Sequence, residues 1–578
     1  MDEVCTIGRV PPSAYFRGVA VDFDGTLTEA GRPSSNVLEA LGEARSAGLS
    51  LVLVTGRVAS DLLHVFPDVE AHFDAIVAEN GAVVRRSGVS RALTAPVPFD
   101  LDAPLVAHGV HFDRGQVLLG CHSDSEELVF HELRRLELDC QLVRNRDALM
   151  VLPASVSKAS GLSAALNELG LSRHSVVAVG DAENDLALLR ACEVGVAVEN
   201  AVSSLKREAD VVLSIRDGEG VALFLRDDLL AGRALPTSSR WQVPIGTLKN
   251  GDPVSIPASQ VNLLVVGGSG AGKSYAAGLI AERLIELGYS LCILDPEGDH
   301  GPLGRMHNVV TVGGAGLLPQ ATDVPQLLKQ QLGSVVVDLS LIDESDRRAY
   351  MTSLLWALRE ERHRSGLPHW IVVDEAHMPF GNQANAWDPF DGEKGIALVT
   401  YDAGQLLAAS GLDIDFVLAL AGTDGLDPMI RDALGPTLGD DMREASALGT
   451  AALVRLEPTR STVVFDIGSR FVRHVRHWHK YVRSGLSRGD RFCFRTHGGP
   501  TGAHAENVTS FRRELLHCDP GVLEHHIAHH DFSKWLGAAI GDSTLASTIY
   551  ELEERGRATP PEELRHRLLK AIEDRYFA

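Results

Sequence analysis

The chain has 578 residues, of which 45% are hydrophobic and 23% charged, and its formal net charge is −23. This length predicts about three or four domains of roughly 150 residues each, and the acidic balance disfavours binding of nucleic acid or anionic membranes by the surface as a whole. Seven scattered cysteines without a CxxC pair indicate reduced thiols in a cytoplasmic protein. The acidic start of the chain and the lack of a long apolar run predict neither export nor a membrane span.

The first informative stretch is a short apolar run that ends in two carboxylates, Asp22 and Asp24, followed by Gly25. Residues two apart on a strand point to the same side, and open parallel sheets bind ligands at their carboxyl edge. Adjacent carboxylates repel each other unless a cation lies between them, and Mg²⁺ suits oxygen ligands. An isolated Asp-x-Asp is more often a plain acidic turn, so the prediction of a cation site depends on matching residues further along the chain.

Apolar runs alternate with helical patterns over the first 215 residues, which predicts a doubly wound parallel sheet. The runs are Gly18–Val21, Leu49–Val54, Ala75–Ala78, Val176–Val179, Gly195–Val198 and Val211–Leu213. Two of them lead into Thr55-Gly56-Arg57 and Gly180–Asp185, and Lys158 stands just before a predicted helix. Each signal alone is weak, but together with Asp22 they form one consistent series at strand ends and helix starts.

These residues resemble the motifs of the haloacid dehalogenase superfamily of phosphohydrolases, and the resemblance covers residues 15–225. Asp22–Thr26 resembles the first motif, Thr55 the second, Lys158 the third and Gly180–Asp185 the fourth. The stretch Ala78–Ala82 and the insertion after it, at about 84–153, are similar to the Cof-like sugar-phosphatase branch. The resemblance implies a Rossmann-like core, an inserted α/β cap that closes over the site, and a small phosphorylated metabolite as substrate.

The resemblance also implies the catalytic roles. Asp22 is expected to attack phosphorus and to form an aspartyl phosphate. Asp24 is expected to protonate the leaving oxygen and later to deprotonate the attacking water. Thr55 and Lys158 are expected to stabilise the transferring oxygens.

For the metal, the resemblance implies Mg²⁺ held by Asp22, Asp181 and the backbone carbonyl of Asp24, with Asp185 supporting it. In the cap, four polar residues are candidate substrate contacts that ordinary surface polarity explains equally well: His111, Asp113, His122 and Arg144.

A change in composition near residue 235 predicts a domain boundary. The segment Trp241–Ile256, with Asn250-Gly251 at its centre, predicts a β-hairpin with a type I′ turn. An apolar run then leads into a complete GxxxxGK[ST] motif, formed by Gly267, Gly268, Ser269, Gly270, Ala271, Gly272, Lys273 and Ser274. This phosphate-binding loop predicts ATP, with Lys273 on the β and γ oxygens and Ser274 on Mg²⁺.

A second apolar run, Trp370–Val373, ends in Asp374 and Glu375. Asp374 is expected to hold the Mg²⁺ of the nucleotide and Glu375 to polarise a water, which favours ATP hydrolysis over transfer to an organic acceptor. Ile396–Thr400 is another strand end, whose Thr400 is a candidate sensor of the γ-phosphate.

Residues 240–480 resemble the HerA/FtsK group of ring-forming, DNA-translocating ATPases, through the P-loop, Asp374-Glu375, the run Asp295–His300 and the late run Arg473–Lys480. The resemblance implies a RecA-like fold. A single hairpin stands where such proteins often carry a larger β-barrel, so homo-oligomeric ring assembly and DNA translocation stay open. The candidates for an arginine finger are Arg431 and Arg460.

The last part of the chain, about 481–578, predicts a small, mostly helical accessory module. Basic and aromatic residues are interleaved over 460–514, which suits nucleic acid or an acidic partner, although a solvated basic face explains them as well. Four histidines at helical spacing, His525, His526, His529 and His530, are weak candidates for a metal site without a further ligand nearby.

The sequence as a whole predicts an α/β protein with three domains: a phosphatase at 1–230, a P-loop ATPase at 235–480 and an accessory module at 481–578. The preferred interpretation is a Mg²⁺-dependent phosphatase of a small metabolite fused to an ATP-hydrolysing domain. One alternative is a nucleic-acid-processing ATPase whose first domain trims terminal phosphates. Another is an ATP-driven switch with a docking module.

Overall fold

The structure is a computed structural model that describes residues 15–29, 31–145, 147–233, 235–268, 270–331, 333–380, 392–401, 413–421, 449–456, 460–472, 482, 486–556 and 559–576. The described residues fall into two compact units. The first contains residues up to 292 together with 320–335 and 348–469, and the second contains 293–319, 336–347 and 470 onwards. No helix of this described part is long and apolar enough to cross a membrane.

The part of the first unit before residue 231 contains strands and helices in regular alternation. Its strands are β1 (Gly18–Asp22), β2 (Ser50–Val54), β3 (Ala75–Ala78), β4 (Val83–Arg86), β5 (Val89–Ala92), β6 (Phe112–Arg114), β7 (Leu119–His122), β8 (Cys140–Asn145), β9 (Ala148–Pro153), β10 (Val176–Gly180), β11 (Val194–Ala197) and β12 (Val211–Val212). Its helices are α1 (Ser35–Ser46), α2 (Ala59–Val65), α3 (Val69–His72), α4 (Asp102–Ala107), α5 (Glu126–Arg135), α6 (Lys158–Leu169), α7 (Leu186–Ala191), α8 (Ser203–Glu208) and α9 (Asp217–Phe224).

Eight of these strands form one sheet in the order β12-β11-β10-β1-β2-β3-β4-β5. The strands from β12 to β3 are parallel, and β4 and β5 extend the sheet antiparallel at one edge. Every residue of β1 and of β10 is buried. Their continuous apolar sequences are typical of central parallel strands that are covered on both faces, so the predicted doubly wound α/β fold is confirmed.

A second, four-stranded antiparallel sheet lies within the predicted insertion, in the order β6-β7-β9-β8. Its buried apolar residues pack with those of helices α4 and α5, and include Leu105, Leu119, Val129, Leu133 and Val151. The beginning of the insertion behaves differently, because β4 and β5 pair with the first sheet rather than with this one. The four-stranded sheet with its helices is called the cap below.

The sequence pattern predicts a strand at 116–119, and this prediction is wrong by a few residues. Residues 115–118 instead form the turn between β6 and β7. The reason is tertiary: the backbone N–H groups of Gln116, Val117 and Leu118 donate to the buried carboxylate of Glu79, at 2.8, 2.8 and 3.0 Å. Those donors are therefore not available to a neighbouring strand.

The next part of the chain contains eleven strands and four helices among its described residues. The strands are β13 (Gln242–Thr247), β14 (Pro253–Pro257), β15 (Leu263–Gly267), β16 (Leu291–Asp295), β17 (Val309–Gly313), β18 (Ser334–Asp338), β19 (Trp370–Val373), β20 (Ile396–Thr400), β21 (Phe416–Leu420), β22 (Thr450–Arg455) and β23 (Ser461–Ile467). The helices are α10 (Lys273–Glu286), α11 (Val324–Gln331), α12 (Glu344–Ser365) and α13 (His377–Phe380).

Within the first unit, eight of these strands lie in the order β14-β13-β23-β22-β21-β15-β20-β19. The strands β21, β15, β20 and β19 are parallel, and β22, β23, β13 and β14 continue the sheet antiparallel. The P-loop strand β15 therefore sits among parallel neighbours, with β20 between it and β19. This arrangement places the ends of β15, β20 and β19 along one edge of the sheet.

The predicted hairpin is present as β13 and β14, but the predicted type I′ turn is wrong. Such a turn needs positive φ at both central residues. Here only Gly251 has positive φ, at +90°, and Asn250 does not. The N–H of Gly251 donates to the carbonyl of Leu248, and the N–H of Leu248 donates to the carbonyl of Asp252, each at 2.8 Å. This pattern is a three-residue loop that ends in a glycine bulge.

The second unit contains β17, most of β16 and β18, and a C-terminal module; the three strands are adjacent in the order β16-β18-β17. The module consists of the hairpin β24 (Phe492–Thr496) and β25 (Gly499–Ala505) and the helices α14 (Val508–His517), α15 (Pro520–His529), α16 (Asp531–Trp535), α17 (Ser543–Gly556) and α18 (Pro561–Tyr576). Its core contains Phe492, Phe494, Phe511, Phe532 and Trp535. The predicted, mostly helical module is confirmed.

Within the first unit, a buried carboxylate joins the first sheet to the part of the chain that comes after it. Glu193, 1% exposed, accepts from His174 Nδ1 at 2.8 Å and from the Tyr289 hydroxyl at 2.8 Å, and its other oxygen accepts from the Ser259 hydroxyl. The His174 and Tyr289 rings stack with their centroids 3.8 Å apart. His174 belongs to the part of the first unit before residue 231, and Tyr289 and Ser259 belong to the part after it. We call the contact between these two parts the joint, and the buried cluster stabilises it.

Three further links cross the same joint. The guanidinium of Arg17 donates twice to the carbonyl of Arg362, at 3.2 and 3.1 Å. The indole N–H of Trp241 donates to the carbonyl of Cys192 at 3.2 Å. Arg240 forms an ion pair with Asp210 at 2.7 Å. A buried polar contact of this extent predicts that the two parts unfold together.

We expect Glu193→Gln to lower the free energy of unfolding by about 1–3 kcal/mol, because the new amide N–H₂ would face hydroxyl and imidazole donors inside the joint. Chemical denaturation followed by circular dichroism measures the loss. The matched control is Glu199→Gln, whose side chain is exposed, and it should change stability by less than about 0.5 kcal/mol. Equal stability of both variants would contradict the assigned role of Glu193.

Candidate active site

The first site lies at the carboxyl edge of the first sheet, where β1 is flanked by β10 and β2. Asp22 ends β1, Asp181 and Asp185 follow β10, and Thr55 follows β2. Lys158 is the first residue of helix α6, whose N-terminus is capped by the Ser157 side chain. All five side chains are buried.

The ammonium group of Lys158 connects the carboxylates. Its Nζ lies 2.6 Å from Asp22 Oδ1 and 2.5 Å from Asp185 Oδ1. Burial alone would lower the pKa of Lys158, but the charges and hydrogen bonds of Asp185 and Asp22 outweigh it and raise the pKa above its ordinary value. Lys158 is therefore a fixed positive charge at the base of the site.

One ammonium does not balance the acidic groups around it. Oxygen atoms of Asp22, Asp181 and Asp185 lie within 4.8 Å of one another, and all three residues are buried. Burial, and next the charge of Asp185, raise the pKa of Asp22 well above its ordinary value despite the opposing effect of Lys158. Three buried carboxylates against one lysine leave a surplus of negative charge, and hard oxygen donors with this surplus fit a divalent cation such as Mg²⁺.

Asp185 also shapes the backbone after β10. Its Oδ2 accepts from the N–H groups of Asp181 and Ala182, both at 3.0 Å. A Cβ atom at Gly180 would lie only 2.6 Å from the Cβ of Asp185, so the close approach requires glycine there. Thr26 Oγ1 donates to Asp181 Oδ1 at 3.2 Å and links the turn after β1 to the same cluster.

Asp24 lies outside the carboxylate cluster, at the wall of the neighbouring cleft. Its two oxygens accept from Arg57 Nε and a terminal nitrogen of Arg57, at 2.8 and 2.7 Å. The hydrogen bonds to Asp24 raise the pKa of Arg57. In the sequence, Arg57 appears only as the last residue of the Thr55-Gly56-Arg57 turn. Its position two residues after Thr55 is the sequence feature that could have indicated a role at this site. The Thr55 hydroxyl accepts from the N–H of Arg57 at 3.1 Å, which fixes this turn.

A cleft of about 1080 Å³ lies between the first sheet and the cap. On the side of the first sheet it is lined by Asp24 and Arg57, which follow β1 and β2, and by Asp61 of helix α2. From the cap it is lined by polar side chains that include His111, Asp113, Arg114, His122 and Asn145. Three of the four predicted substrate contacts, His111, Asp113 and His122, therefore line the cleft.

The fourth candidate contact, Arg144, does not line the cleft, which favours the alternative explanation by ordinary surface polarity. Its guanidinium pairs with the carboxylate of Glu126 on the outside of the cap. Alternate residues of a strand point to opposite faces, and Arg144 lies on the face of β8 opposite to that of Asn145. A single sequence does not reveal which face of the cap turns toward the cleft.

Glu79 is a second functional candidate that the sequence pattern did not single out, although it lies in the Ala78–Ala82 stretch. It follows β3 with φ of +54° and is completely buried. Its carboxylate is the group that accepts the three N–H bonds from the β6–β7 turn described above. Glu79 therefore fixes one corner of the cap on the first sheet.

A second site surrounds the P-loop after β15. Gly270 and Gly272 have φ of +81° and +94°, which other residues adopt at a cost. Lys273 begins helix α10 and its Nζ donates to the carbonyl of Gly268 at 3.3 Å. Ser274 lies in the first turn of α10. Gly267, Gly268 and Ala271 complete the described loop, and Ser269 lies outside the described residues.

Asp374 and Glu375 follow β19 on the same sheet edge. Asp374 is 2% exposed, and its Oδ1 accepts from the N–H of Glu375 at 2.9 Å. Glu375 has φ of +47°, a strained value for a residue other than glycine. The buried Thr400 ends β20, between β19 and β15. The sheet thus brings the ends of all three predicted strands to one edge.

Three further predicted features of the ATPase region are the run that begins at Asp295, the two candidate arginine fingers and the late basic run. Asp295 has a structural role within the second unit: its carboxylate accepts from the N–H groups of Gly298, Asp299 and His300 and shapes the turn after β16. Arg460 is exposed just before β23. Arg431 and the run Arg473–Lys480 lie outside the described residues.

The aromatic residues of the basic stretch do not form a stacking surface at β24. Phe492 and Phe494 are 5% and 1% exposed and belong to the core of the C-terminal module. Several arginines of the stretch pair with acidic groups of the same module, among them Arg491 with Glu506 and Arg512 with Glu573. These pairs within the module favour the alternative of a solvated basic face over a nucleic-acid surface at these positions.

The fold and the two sites define a class: an α/β enzyme with a lysine–carboxylate site beside a cap, joined to a P-loop sheet. Comparison with family models gives the same division. Residues 19–95 and 122–225 match the haloacid dehalogenase-like hydrolases, and residues 243–322 match the central domain of the helicase HerA.

Curated relatives match the first part of the chain. The phosphoglycolate phosphatase of Methanothermobacter thermautotrophicus is 32% identical over 218 residues, covering 36% of this chain and 98% of that protein. The phosphoglycolate phosphatase of Archaeoglobus fulgidus is 30% identical and covers 36% and 96%, respectively. A 5-amino-6-(5-phospho-D-ribitylamino)uracil phosphatase of Bacillus subtilis is 25% identical and covers 37% and 98%. The chain belongs to the haloacid dehalogenase-like hydrolase family and is an enzyme.

We expect Lys158→Met to make folding strongly dependent on Mg²⁺, because the variant leaves three buried carboxylates without their ammonium partner. Its melting temperature without Mg²⁺ should fall below that of the wild type, and added Mg²⁺ should raise it by more than in the wild type. Differential scanning calorimetry with and without Mg²⁺ measures both effects.

The control for this prediction is Lys570→Met, which changes an exposed lysine. Its response to Mg²⁺ should equal that of the wild type. An equal Mg²⁺ response in Lys158→Met would show that the lysine and the cation do not share the carboxylates.

Proposed function

We propose that this protein is a Mg²⁺-dependent phosphomonoester hydrolase for a small phosphorylated metabolite, fused to an ATP-binding and ATP-hydrolysing domain. The observation that carries the proposal is the cluster of Asp22, Lys158, Asp181 and Asp185 at the sheet edge, with Asp24 in the adjacent cleft. A nucleophile, a positive charge, a cation site and a proton carrier are the four elements that such a hydrolysis needs.

In the proposed reaction, a carboxylate oxygen of Asp22 attacks phosphorus as the bond to the leaving oxygen breaks, which forms an aspartyl phosphate. Asp24 gives its proton to the leaving oxygen, and the alcohol departs. Asp24 then takes a proton from a water that attacks phosphorus, and the phosphate leaves with Asp22 restored. Because Arg57 holds both oxygens of Asp24, at least one of these hydrogen bonds opens during the cycle.

Charge stabilisation comes from groups on either side of Asp22. Lys158, already 2.6 Å from Asp22, neutralises charge that develops on the transferring oxygens, and Thr55 supplies a donor from the next strand. Asp22, Asp181 and the backbone carbonyl of Asp24 would hold Mg²⁺, with Asp185 supporting the cluster. When bound, this ion would offset the repulsion between the carboxylate nucleophile and the phosphate dianion.

The substrate class is inferred from the cleft. Its walls carry charged and imidazole groups from the cap, including His111, Asp113 and Arg114, which suits a compact polar substrate with hydroxyl or carboxylate groups. The phosphoglycolate phosphatases and the uracil-compound phosphatase among the relatives support this class. We therefore propose a sugar phosphate or a phosphoglycolate-type ester. A cap fixed by Glu79 also disfavours the long end of a nucleic acid as substrate.

For the second site, we propose that the P-loop binds ATP and that Lys273 contacts the β and γ phosphates. Ser274 and Asp374 would hold the Mg²⁺ of the nucleotide, and Glu375 would orient the attacking water. The strained backbone of Glu375 supports a catalytic position, because strain persists where surrounding structure imposes it. The match to the HerA central domain supports the same assignment.

The phosphatase proposal predicts that Asp22→Asn lowers kcat for the best substrate by about 10⁴-fold or more, because the amide does not replace the nucleophile. Phosphate release is measured over a panel of sugar phosphates, phosphoglycolate, nucleotides and DNA with terminal phosphates. Asp227→Asn, an exposed position, is the matched control and should keep full activity. If only the DNA ends react, the metabolite phosphatase proposal is wrong and the nucleic-acid alternative is correct.

The ATPase proposal predicts that Lys273→Ala abolishes ATP hydrolysis while release of phosphate from the metabolite continues. Glu375→Gln should keep ATP binding and lower its turnover by at least about 10²-fold. Fluorescent nucleotide binding and phosphate release separate the two effects. ATP turnover that survives Lys273→Ala would contradict the assignment of the P-loop, and full turnover in Glu375→Gln would contradict the role of Glu375.

A further inference from the structure

The C-terminal module brings together histidines from two distant stretches of sequence. His497 lies in the turn between β24 and β25, and His525 and His529 lie one helical turn apart on α15. The Nδ1 atoms of His497 and His525 are 3.5 Å apart. The rings of His525 and His529 have their centroids 4.7 Å apart. His497 and His529 are exposed, and His525 is partly exposed.

The distance between the first two nitrogens is informative. An N–H···N hydrogen bond between neutral imidazoles would normally be shorter, at about 2.7–3.2 Å. Two nitrogens bound to one tetrahedral metal at about 2.0–2.1 Å each lie roughly 3.3–3.4 Å apart. The observed 3.5 Å is at the long limit of a hydrogen bond and is close to the spacing of two ligands of one metal ion, so the two rings would need little movement to share an ion.

His526, next to His525 on α15, helps to fix the position of His525, and its own two ring nitrogens are already in hydrogen bonds. His526 is 2% exposed, its Nε2 accepts from the N–H of Arg495 at 2.8 Å, and its Nδ1 donates to Asp531 at 2.7 Å. Both of its nitrogens are thus used. The bond to Arg495 ties α15 to β24, which holds His525 opposite the turn that carries His497.

The third candidate ligand is His529, one helical turn after His525 on α15. Nδ1 of His529 donates to the carbonyl of His525 at 2.6 Å, which places the lone pair of the ring on Nε2. Metal-binding histidines commonly donate their second nitrogen to a backbone carbonyl in this way. Nitrogen atoms of His497, His525 and His529 do not all lie within 4.8 Å of one another, so binding would require the exposed side chain of His529 to rotate toward the other two rings.

We propose that His497, His525 and His529 bind one transition-metal ion of the Zn²⁺ class at the surface of the C-terminal module. Imidazole nitrogens favour Zn²⁺ and neighbouring transition metals over Mg²⁺, which prefers oxygen. The ion would join the β24–β25 turn to α15, two elements separated by 28 residues at His497 and His525. The site is distinct in ligand type from both carboxylate-containing sites described above.

The test titrates the full-length protein with Zn²⁺ alone, by isothermal calorimetry in excess Mg²⁺ so that oxygen-rich sites are occupied. The wild type should bind one Zn²⁺ ion that Mg²⁺ does not displace. His497→Gln and His525→Gln should each weaken this binding by about tenfold or more. The matched control is His504→Gln, an exposed histidine on β25 of the same hairpin, which should bind as the wild type does.

A second readout uses Co²⁺, whose visible absorption is intense when it is tetrahedral. The wild type and His504→Gln should show this absorption, and the two ligand variants should lose it. His497 lies in an exposed turn, so its replacement leaves the fold intact, and far-ultraviolet circular dichroism verifies this. Equal Zn²⁺ affinity in all four proteins, or equal Co²⁺ spectra, would overturn the proposal.

Discussion

The first site depends on the ion pairs that the buried ammonium group of Lys158 forms with two carboxylates. Asp22 and Asp185 each lie within hydrogen-bond distance of it, and without a positive charge their repulsion would not allow both carboxylates in one buried place. The lysine does not complete the balance, because Asp181 is part of the same cluster. The residual negative charge makes the site receptive to a divalent cation, so the electrostatics that stabilise the fold at this edge are also those that the proposed chemistry uses.

The cap and the second sheet are both attached through buried carboxylates that accept several hydrogen bonds. Glu79 accepts hydrogen bonds from three backbone N–H groups of the cap turn. Glu193 accepts hydrogen bonds from the side chains of a histidine, a tyrosine and a serine at the joint. A carboxylate has about four acceptor positions and can therefore organise several donors at once. The consequence differs in the two places. Glu79 holds the turn between β6 and β7 on the first sheet beside the cleft, whereas Glu193 links two parts of the first unit that we expect to unfold together.

The two candidate sites share one geometric arrangement. In each, a central parallel strand ends in a loop with candidate site residues, and a nearby strand brings acidic residues to the same edge: β10, adjacent to β1, in the first sheet, and β19, separated from β15 by β20, in the second. Backbone torsions with positive φ mark both edges, at Glu79 and Glu375 as well as at the P-loop glycines. The C-terminal module departs from this pattern, because its histidines come from a hairpin turn and a helix, and a different class of metal ion is proposed there.

The sequence by itself determined the motif residues, the positions of most strands along the chain and the helical character of the C-terminal module. Apolar periodicity and strand-end chemistry are local properties of the chain. The sequence did not determine the partners of those residues. Three of the contacts join segments that are distant in sequence: Arg57 with Asp24, Glu79 with the cap turn, and His497 with His525. The position of Arg144 outside the cleft depends on which face of its strand is turned inward. Only the tertiary structure decided them, since a side chain's neighbours across a sheet or between helices are set by packing rather than by local pattern.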